Sequence, residues 1–531
     1  MQYSAILGSG DRRCPDPGWP DLPHPAADPA RGTTQIQGTA GAREGARVLG
    51  DRRPDPAGVF AGLPPARPGD EGLRESIRAS RTAGDLLLGV LDDDPTGSQA
   101  VHDVQVVTVL EEDAYAAALA GPAAACFVLT NSRSLDAPAA ADLTTRAARG
   151  LITVAGRRGT RIQLVSRSDS TLRGHVMAEV AALQAVRQDM VGRGYDGVLL
   201  VPAFLEAGRV TAADIHWART AAGLVPVGET EFANDSAFGY SASDLRVFVA
   251  EKSGGTIRPE DVRSISLADI RLGGPARVRE VLASAAGGAW VVVNATEYSD
   301  LETVARSVLD AEQDGQSFLF RTGPSFVRAL TGLGPKPALR GPQIWGEKRR
   351  AGHGLVVVGS HVAQTSRQVA ALRARGTTTD IELEVPAVLG GGPDVAAAAA
   401  RRVTGALGHS DVLLYTSREV VAGRDAAGSL TIARTVSAAL SWIVRDALAA
   451  RPAWVIAKGG ITSHDVMLQG LGIRRAEVAG QLFPGTISVF RPLDAAPEAV
   501  GMPYVVFAGN VGDDGTLARV VAILNGEQEI P

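Results

Sequence analysis

The sequence predicts an α/β fold built as two α/β domains with mostly parallel sheets, and three observations carry that prediction. Short β-branched apolar runs alternate with alanine- and leucine-rich segments of helical composition, the rhythm of βαβ units. One stretch rich in proline and basic residues, 331–354, breaks that rhythm. Several apolar runs empty directly into dense polar or glycine-bearing turns, as strands do where an open parallel sheet presents ligand-binding groups at its carboxyl ends.

Residues 1–80 are rich in Pro, Gly, Ala, Arg and Asp, as in Gly50-Asp51-Arg52-Arg53-Pro54-Asp55-Pro56, and follow neither the helical nor the strand period. Such a segment buries too little apolar surface to offset its chain entropy, so a disordered extension is expected, with order beginning near Asp85. The first domain, 81–335, has candidate strands at 86–91, 104–110, 125–129, 162–165, 198–201, 290–293 and 318–320. Helices are expected at 137–151, 175–191 and 301–313, where Ala and Leu are frequent. Pro337, Pro342 and the cluster Lys348-Arg349-Arg350 place a linker at 336–353. The second domain, 354–531, resumes the alternation with strands at 355–358, 412–415, 454–457, 487–490 and 504–507. Gly390-Gly391-Gly392 precedes Pro393-Asp394 and an alanine-rich run, which reads as a helix start rather than a phosphate loop. No internal repeat of fixed short period is present.

A chain of 531 residues is too long for one core at the prior of about 150 residues per domain. With 53 Lys and Arg against 58 Asp and Glu, the net charge of -5 gives no electrostatic reason to expect nucleic acid or an anionic membrane. The expected partner is a small molecule, and a homo-oligomer is left open. Cys14 and Cys126 are widely separated and form neither a disulfide framework nor a zinc-type cluster, which points to a reducing compartment. No apolar run approaches the roughly 18 residues of a membrane span, and the first residues hold Asp, Arg and Pro in place of a signal peptide's apolar stretch. A cytoplasmic protein is expected.

Two turns carry the densest chemistry. The run at 86–91 ends in Asp92-Asp93-Asp94-Pro95-Thr96-Gly97-Ser98, and the run at 161–165 ends in Ser166-Arg167-Ser168-Asp169-Ser170-Thr171-Leu172-Arg173-Gly174-His175. Like charges at that density are costly unless cations or hydrogen bonds compensate them, so a ligand or metal site is expected. Aspartates also cap turns and arginines usually end in surface ion pairs, but placement straight after buried strands argues for function. Pro202-Ala203-Phe204-Leu205-Glu206-Ala207-Gly208-Arg209-Val210-Thr211 and Gly228-Glu229-Thr230-Glu231-Phe232-Ala233-Asn234-Asp235 follow. Glu229 and Asp235 are expected to serve local structure.

In the second domain, Gly359-Ser360-His361, Lys458-Gly459-Gly460-Ile461-Thr462-Ser463 and Gly509-Asn510-Val511-Gly512-Asp513 each follow a strand. Backbone amides at such strand-to-helix turns form anion sites. No Gly-x-x-x-x-Gly-Lys-Ser/Thr string exists, so a P-loop is excluded. His175, His361 and His464 lack metal-like spacing.

Taken in order, these strings resemble the four-carbon acid sugar kinase family, the DUF1537 group. The family pattern is matched at Asp93 to Gly97, Asp169 to Gly174 and Pro202 to Thr211. Further matches are Phe320-Arg321-Thr322 through Phe326, Gly359-Ser360 with Thr365 and Gln368, Gly459-Gly460 with Thr462-Ser463, and Gly509 to Gly512. The resemblance implies a sugar-acid-binding first domain, an ATP-binding second domain and an active site in the cleft between them. It implies transfer of the γ-phosphoryl group to the terminal hydroxyl of a tetronate such as threonate, erythronate or an oxo-tetronate. It assigns Ser360, Gly459, Gly460, Ile461, Thr462, Gly509 and, more weakly, Gly501 to ATP. The chain departs from the family pattern at Ile461, where many members carry an acid, at Phe507-Ala508 in place of Lys-Ser, and at His175 in place of Asn.

The residue types suit that chemistry. Arg173 and Arg209 can each grip a carboxylate in a bidentate fork, and Asp169, Ser170 and Thr171 can read hydroxyls. Phosphoryl transfer needs positioning, charge neutralisation and an acceptor for the attacking hydroxyl's proton. Asp94 or Asp93 is the candidate acceptor, the other carboxylate helping to hold Mg2+, and Arg173 completes the catalytic set. Lys458 can pair with a phosphate oxygen. One rival is a nicotinamide oxidoreductase, which the lack of a Gly-x-Gly-x-x-Gly turn opposes. Others are a noncatalytic sugar-acid sensor and a kinase of a longer acid.

Overall fold

The computed structural model describes residues 56–527, apart from 95, 122–124, 221, 347–348, 420, 422 and 425. In chain order the first domain supplies β1 (Leu86–Asp92), β2 (Val104–Val107), β3 (Ala125–Leu129), β4 (Arg161–Arg167), β5 (Gly197–Val201), the small sheet β6 to β8 (Arg209–Ala212, Ile215–Thr220, Gly223–Pro226), β9 (Arg263–Ile265), β10 (Ala289–Val293) and β11 (Phe318–Thr322). The second supplies β12 (Leu355–Val358), β13 (Thr378–Leu383), β14 (Asp411–Thr416), β15 (Val455–Lys458), β16 (Arg475–Phe483), β17 (Ile487–Asp494) and β18 (Tyr504–Phe507).

These strands do not form two separate sheets. Fifteen of them make one sheet in the order β13-β14-β12-β15-β18-β17-β16-β2-β3-β1-β4-β11-β5-β10-β9. Two parallel blocks are stitched together where β16 pairs antiparallel with β2, Arg475 to Val478 against Val107 to Val104. Each strand would otherwise leave an open edge, so the pairing satisfies both. Three antiparallel pairings separate β2 from β18. Despite those reversals, turns that follow strands of both blocks line one cavity.

β1 lies inside the first block, buried along its whole length and flanked in parallel by β3 and β4. Burying each Leu or Val of such a strand contributes about 1.5–3 kcal/mol, which anchors the polar turn that follows. Helices cover both faces. Ala137–Arg157 begins where Asp136 accepts from the Ala139 N–H at 2.9 Å, and Val176–Val191 ends at Gly192, whose φ of 72° suits a glycine C-cap. The helix Val385–Ala406 breaks at Gly392 (φ 47°) and restarts at Pro393, as the Pro-Asp signal predicts.

Order begins earlier than Asp85. Of the expected extension, residues 1–55 lie outside the described residues, whereas Pro56–Ala61 and Glu71–Ala83 are helices. The second docks through Ile77 and through arginines whose stems and heads are used for packing. Arg81 is buried and donates to Gln163 Oε1 at 2.5 Å and to the Leu86 carbonyl at 3.1 Å, while Arg74 meets Glu302 at 3.0 Å. No helix among the described residues is long and apolar enough to cross a membrane.

Candidate active site

A cavity of about 410 Å3 lies between the domains, lined by residues of both. From the first come Asp94, Thr96 and Gln99 after β1, Asp169 to Thr171 and Arg173 after β4, Phe204, Ala207 and Arg209 after β5, and Phe232. From the second come Gly460, Gly485, Thr486 and the turn Ala508 to Gly512. Asp94, Asp169 to Thr171, Arg173, Arg209, Gly460 and Gly509 are thus brought together, whereas Ser360, Gly459, Ile461 and Thr462 are not among the residues that line this cavity.

The three aspartates have different environments. Asp92 is fully buried and pairs with Arg167 Nη1 at 2.9 Å, its register partner on β4. Burial pushes the Asp92 carboxyl up to about 7 against the pull of Arg167. Gly97 packs on this pair so tightly that a Cβ there would overlap it. Asp93 is also buried, facing Arg167 at 3.3 Å and Arg133 Nε at 3.4 Å, and burial raises its pKa. Asp94 alone of the three lines the cavity. It accepts from Thr96 N–H at 2.7 Å and Oγ1 at 2.6 Å and pairs with Arg133 Nη2. Burial opposes its ionisation, but Arg133, Arg167 and Thr96 outweigh that and lower its pKa. Of the two candidate proton acceptors, Asp94 reaches the cavity and Asp93 does not.

The loop after β4 is held in a demanding conformation. Leu172 has φ 67°, a left-handed backbone costing about 1–2 kcal/mol for a non-glycine residue. The two carbonyls before it are pinned, Ser170 by His216 Nε2 at 2.8 Å and Thr171 by the Tyr240 hydroxyl at 2.6 Å. Asp169 accepts from Arg173 Nε at 2.7 Å and from the Thr171 hydroxyl. Burial disfavours its charge, yet Arg133 and Arg173 hold its carboxyl well below the usual carboxylate range. Gly174 (φ 118°) brings the backbone against Asp93 Oδ2 and Arg321 Nη2, each 3.0 Å from where a Cβ would stand.

The two expected carboxylate-gripping arginines also differ. Arg173 is partly committed to Asp169 and to Asp235 at 3.6 Å, and lies over the Phe232 ring at 5.1 Å. Asp235 thus serves both the turn, accepting from Ala237 and Phe238 N–H groups, and Arg173. Arg209 has no carboxylate partner among the described residues; it sits between Phe204 and Phe232, centroids 5.9 and 5.7 Å away, and burial lowers its pKa. A partly desolvated, unpaired guanidinium is the stronger anion receptor.

In the second domain, Gly459 (φ 118°) allows the chain to turn beside Ser360, and Gly460 and the half-exposed Ile461 open a short helix at the cavity. Thr462 packs against Gly359. Gly509 packs on Ser360 and is tied by Thr365 Oγ1 at 2.8 Å, while Gln368 holds the Val511 and Asp513 carbonyls at 2.9 and 2.7 Å. That bracing fixes the turn Asn510 to Gly512 beside the cavity. Gly359, Ile461 and Thr462 also line an apolar cavity of about 250 Å3, with Val385, Ile432, Val436 and Leu440 among others.

Two expectations need correction. Lys458 is fully buried and does not line the cavity; its Nζ donates to the Ala508 carbonyl at 3.0 Å and lies 3.7 Å from the Phe507 ring centroid, so it braces the turn. Burial lowers its pKa to about 7. Gly501 stands before β18, at the opposite end of that strand from Gly509, and is not brought to the site.

Sequence reasoning missed Arg133 and the hairpin tip Gly485-Thr486. Arg133 follows β3 in the polar burst Thr130-Asn131-Ser132-Arg133, the same signature used for β1 and β4. The hairpin tip went unseen because β16 was not recognised. Gly485 (φ 70°) touches Glu206 so closely that no side chain fits, and Gln99 Nε2 donates to the Thr486 carbonyl at 3.2 Å, so this tip seals the second domain onto the first.

No group of three or more His, Cys, Asp or Glu among the described residues is placed to hold a metal ion. Mg2+ that arrives on nucleotide phosphates commonly needs only one or two protein carboxylates, and Asp94 fits that need.

A family model described as a sugar-binding N-terminal domain matches residues 88–330, and one described as a nucleotide-binding C-terminal domain matches 355–517. The fold is similar to that of a Haemophilus influenzae DUF1537 protein, at 18% identity and TM-score 0.55 over 81% of this chain and 98% of that one. It is also similar to a Salmonella typhimurium LT2 protein provisionally named a tRNA synthase, at 18% identity and TM-score 0.59 over 82% and 98%. No curated protein matches the sequence. With a sugar-binding and a nucleotide-binding domain in this order meeting at one cavity, the chain belongs to the four-carbon acid sugar kinase family, the DUF1537 group.

Proposed function

We propose that this protein is an ATP-dependent kinase that phosphorylates the terminal hydroxyl of a four-carbon sugar acid. The observation that carries the reading is the shared cavity: Arg209, without a carboxylate partner among the described residues, lines it with Asp169, Ser170 and Thr171 of the first domain and with Gly460 and the turn Asn510 to Gly512 of the second. A single substrate class with a carboxylate and several hydroxyls uses the first set, and polyphosphate uses the second.

In this reading Arg209, aided by Arg173, binds the substrate carboxylate, and Asp169, Ser170 and Thr171 orient its hydroxyls. Asp94 takes the proton of the attacking hydroxyl as its oxygen bonds to the γ-phosphorus and the bond to the bridging β,γ-oxygen breaks, leaving ADP. Mg2+ carried on the phosphates would neutralise their charge. A low pKa is compatible with this role, because phosphoryl transfer depends more on positioning than on early proton removal. The apolar cavity beside Gly359 and Thr462 suits a nucleobase. The hairpin tip at Gly485 excludes water, which limits loss of the phosphoryl group to hydrolysis.

The test is ADP release by purified protein with ATP and Mg2+ against D- and L-threonate, erythronate, their oxo forms and longer aldonates. Release stimulated by a four-carbon acid supports the reading; stimulation by longer acids alone, or ATP binding with no stimulation, rejects the substrate class.

A further inference from the structure

Arg133 touches more of the acidic site than any residue recognised from sequence. Its Nη2 meets Asp94, its Nε lies 3.4 Å from Asp93 Oδ1, and its Nη1 lies 3.9 Å from Asp169 Oδ1. One guanidinium thus ties together carboxylates delivered by two parallel strands, and it is itself delivered by a third, β3.

The turn that carries it is clamped from below. Asn131 adopts φ 49°, and Ser132 Oγ donates to Glu179 Oε1 at 2.6 Å. Glu179 is buried and also accepts from Ser166 Oγ at 3.1 Å and from Arg321. A planar fork fixed at its base can set the direction of the carboxylates it binds, which a flexible lysine cannot do as well. We propose that Arg133 is the positioning residue of this site: it holds Asp94 aimed into the cavity and in register with Asp169, without itself touching the transferred group. This rests on the kinase reading above.

The charged groups around Asp94 are Asp92 and Asp93 on its own strand end, Arg167 on β4, Asp169 beyond it, and His464 from the second domain. Among the cations, Arg133 is the strongest influence favouring ionised Asp94. Removing it takes away the fork that ties Asp94 to Asp93 and Asp169, so Asp94 is no longer held in one orientation.

The test compares wild type, Arg133→Gln and Arg133→Lys for kcat and KM, with thermal melting as a check on folding. Arg133→Gln is expected to lower kcat by about 100-fold, within the range for a displaced acid–base group, while KM for the sugar acid moves far less. Arg133→Lys is expected to leave kcat reduced, because charge is restored and the fork is not. An unchanged kcat in folded Arg133→Gln overturns the proposal, as does a rise in KM at constant kcat, which would make Arg133 a substrate-binding residue. A readout independent of turnover separates this from failure of the kinase reading. In 13C-carboxyl-labelled protein at one fixed pH, the resonance lost in Asp94→Asn should move or split in Arg133→Gln as the carboxylate loses its fixed orientation. If that resonance is unchanged, the positioning role fails even where sugar-acid-dependent ADP release is present. If it changes in a protein that releases no ADP with any acid, the positioning role stands and the kinase reading falls.

Discussion

Replacing Gly97 with alanine tests how tightly the Asp-Asp-x-Thr-Gly turn is built. The added methyl would stand well under 3.0 Å from both Asp92 Oδ2 and Arg167 Cζ, an approach that real Cβ atoms essentially never make. Neither neighbour can yield easily, because both are buried and Asp92 and Arg167 are register partners in adjacent parallel strands. If the turn moves instead, the cost is that of overpacking, about 1–3 kcal/mol. If the ion pair opens, leaving a buried charge uncompensated, it approaches about 3–5 kcal/mol. A loss of about 2 kcal/mol lowers the melting temperature by roughly 4–8 °C for a domain of this size. Asp94 follows Asp92 by two residues, so kcat should fall as well. Gly156, in the helix Ala137–Arg157, has nothing within 4 Å of its Cβ position, and alanine there should be neutral or stabilising by about 0.5–1 kcal/mol. Differential scanning fluorimetry and ADP release on both variants decide the matter. A Gly97→Ala protein that melts and turns over like wild type would refute the packing argument for the whole turn.

Asp94→Asn should lower kcat by about 10²- to 10⁴-fold with little change in sugar-acid binding, measured by initial rates. Arg209→Ala removes hydrogen bonds to a charged ligand, expected to contribute about 1.5–3 kcal/mol, so KM for the sugar acid should rise roughly 10- to 100-fold while KM for ATP holds. Ala433→Trp should fill the cavity of about 250 Å3 beside Thr462 and weaken ATP binding in calorimetry without altering sugar-acid binding. Lys458, with its pKa lowered to about 7 from the ordinary lysine value of 10.5, binds fewer protons folded than unfolded between those values. Folding stability should therefore be depressed at and below pH 7 and rise as pH increases through that window; Lys458→Met should lose this rise in melting experiments at several pH values.

What the sequence revealed depended on how far side chains alternate or cluster locally. The strands carrying the aspartates and the Asp169 loop were legible because buried β-branched runs end abruptly in polar residues. β13, Thr-Thr-Asp-Ile-Glu-Leu, was hidden because it lies at a sheet edge, where only Ile381 and Leu383 are buried. β16 was hidden by small and charged residues and by bulges, one beside Gly480 (φ 141°), and with it went both the β2–β16 joint and the hairpin tip at Gly485. The helix Glu71–Ala83 was averaged away by the composition of the segment before it, because its buried face uses Arg81 as well as Ile77. Arg133 needed only the strand-end signature already applied to its two neighbours. Lys458 illustrates the opposite limit: spacing places a lysine at a strand end, but only tertiary contacts show that its ammonium turns to the Ala508 carbonyl rather than to the cavity.

The central claim is that both domains act on one reaction in one cavity, and the most direct measurement is the fate of the γ-phosphoryl group. With γ-32P-ATP, Mg2+ and each four-carbon acid, the account predicts label on the acid's terminal hydroxyl in equal amount to ADP, abolished by Asp94→Asn. Label appearing only as inorganic phosphate, or acid and ATP binding together with no label moved, would contradict it.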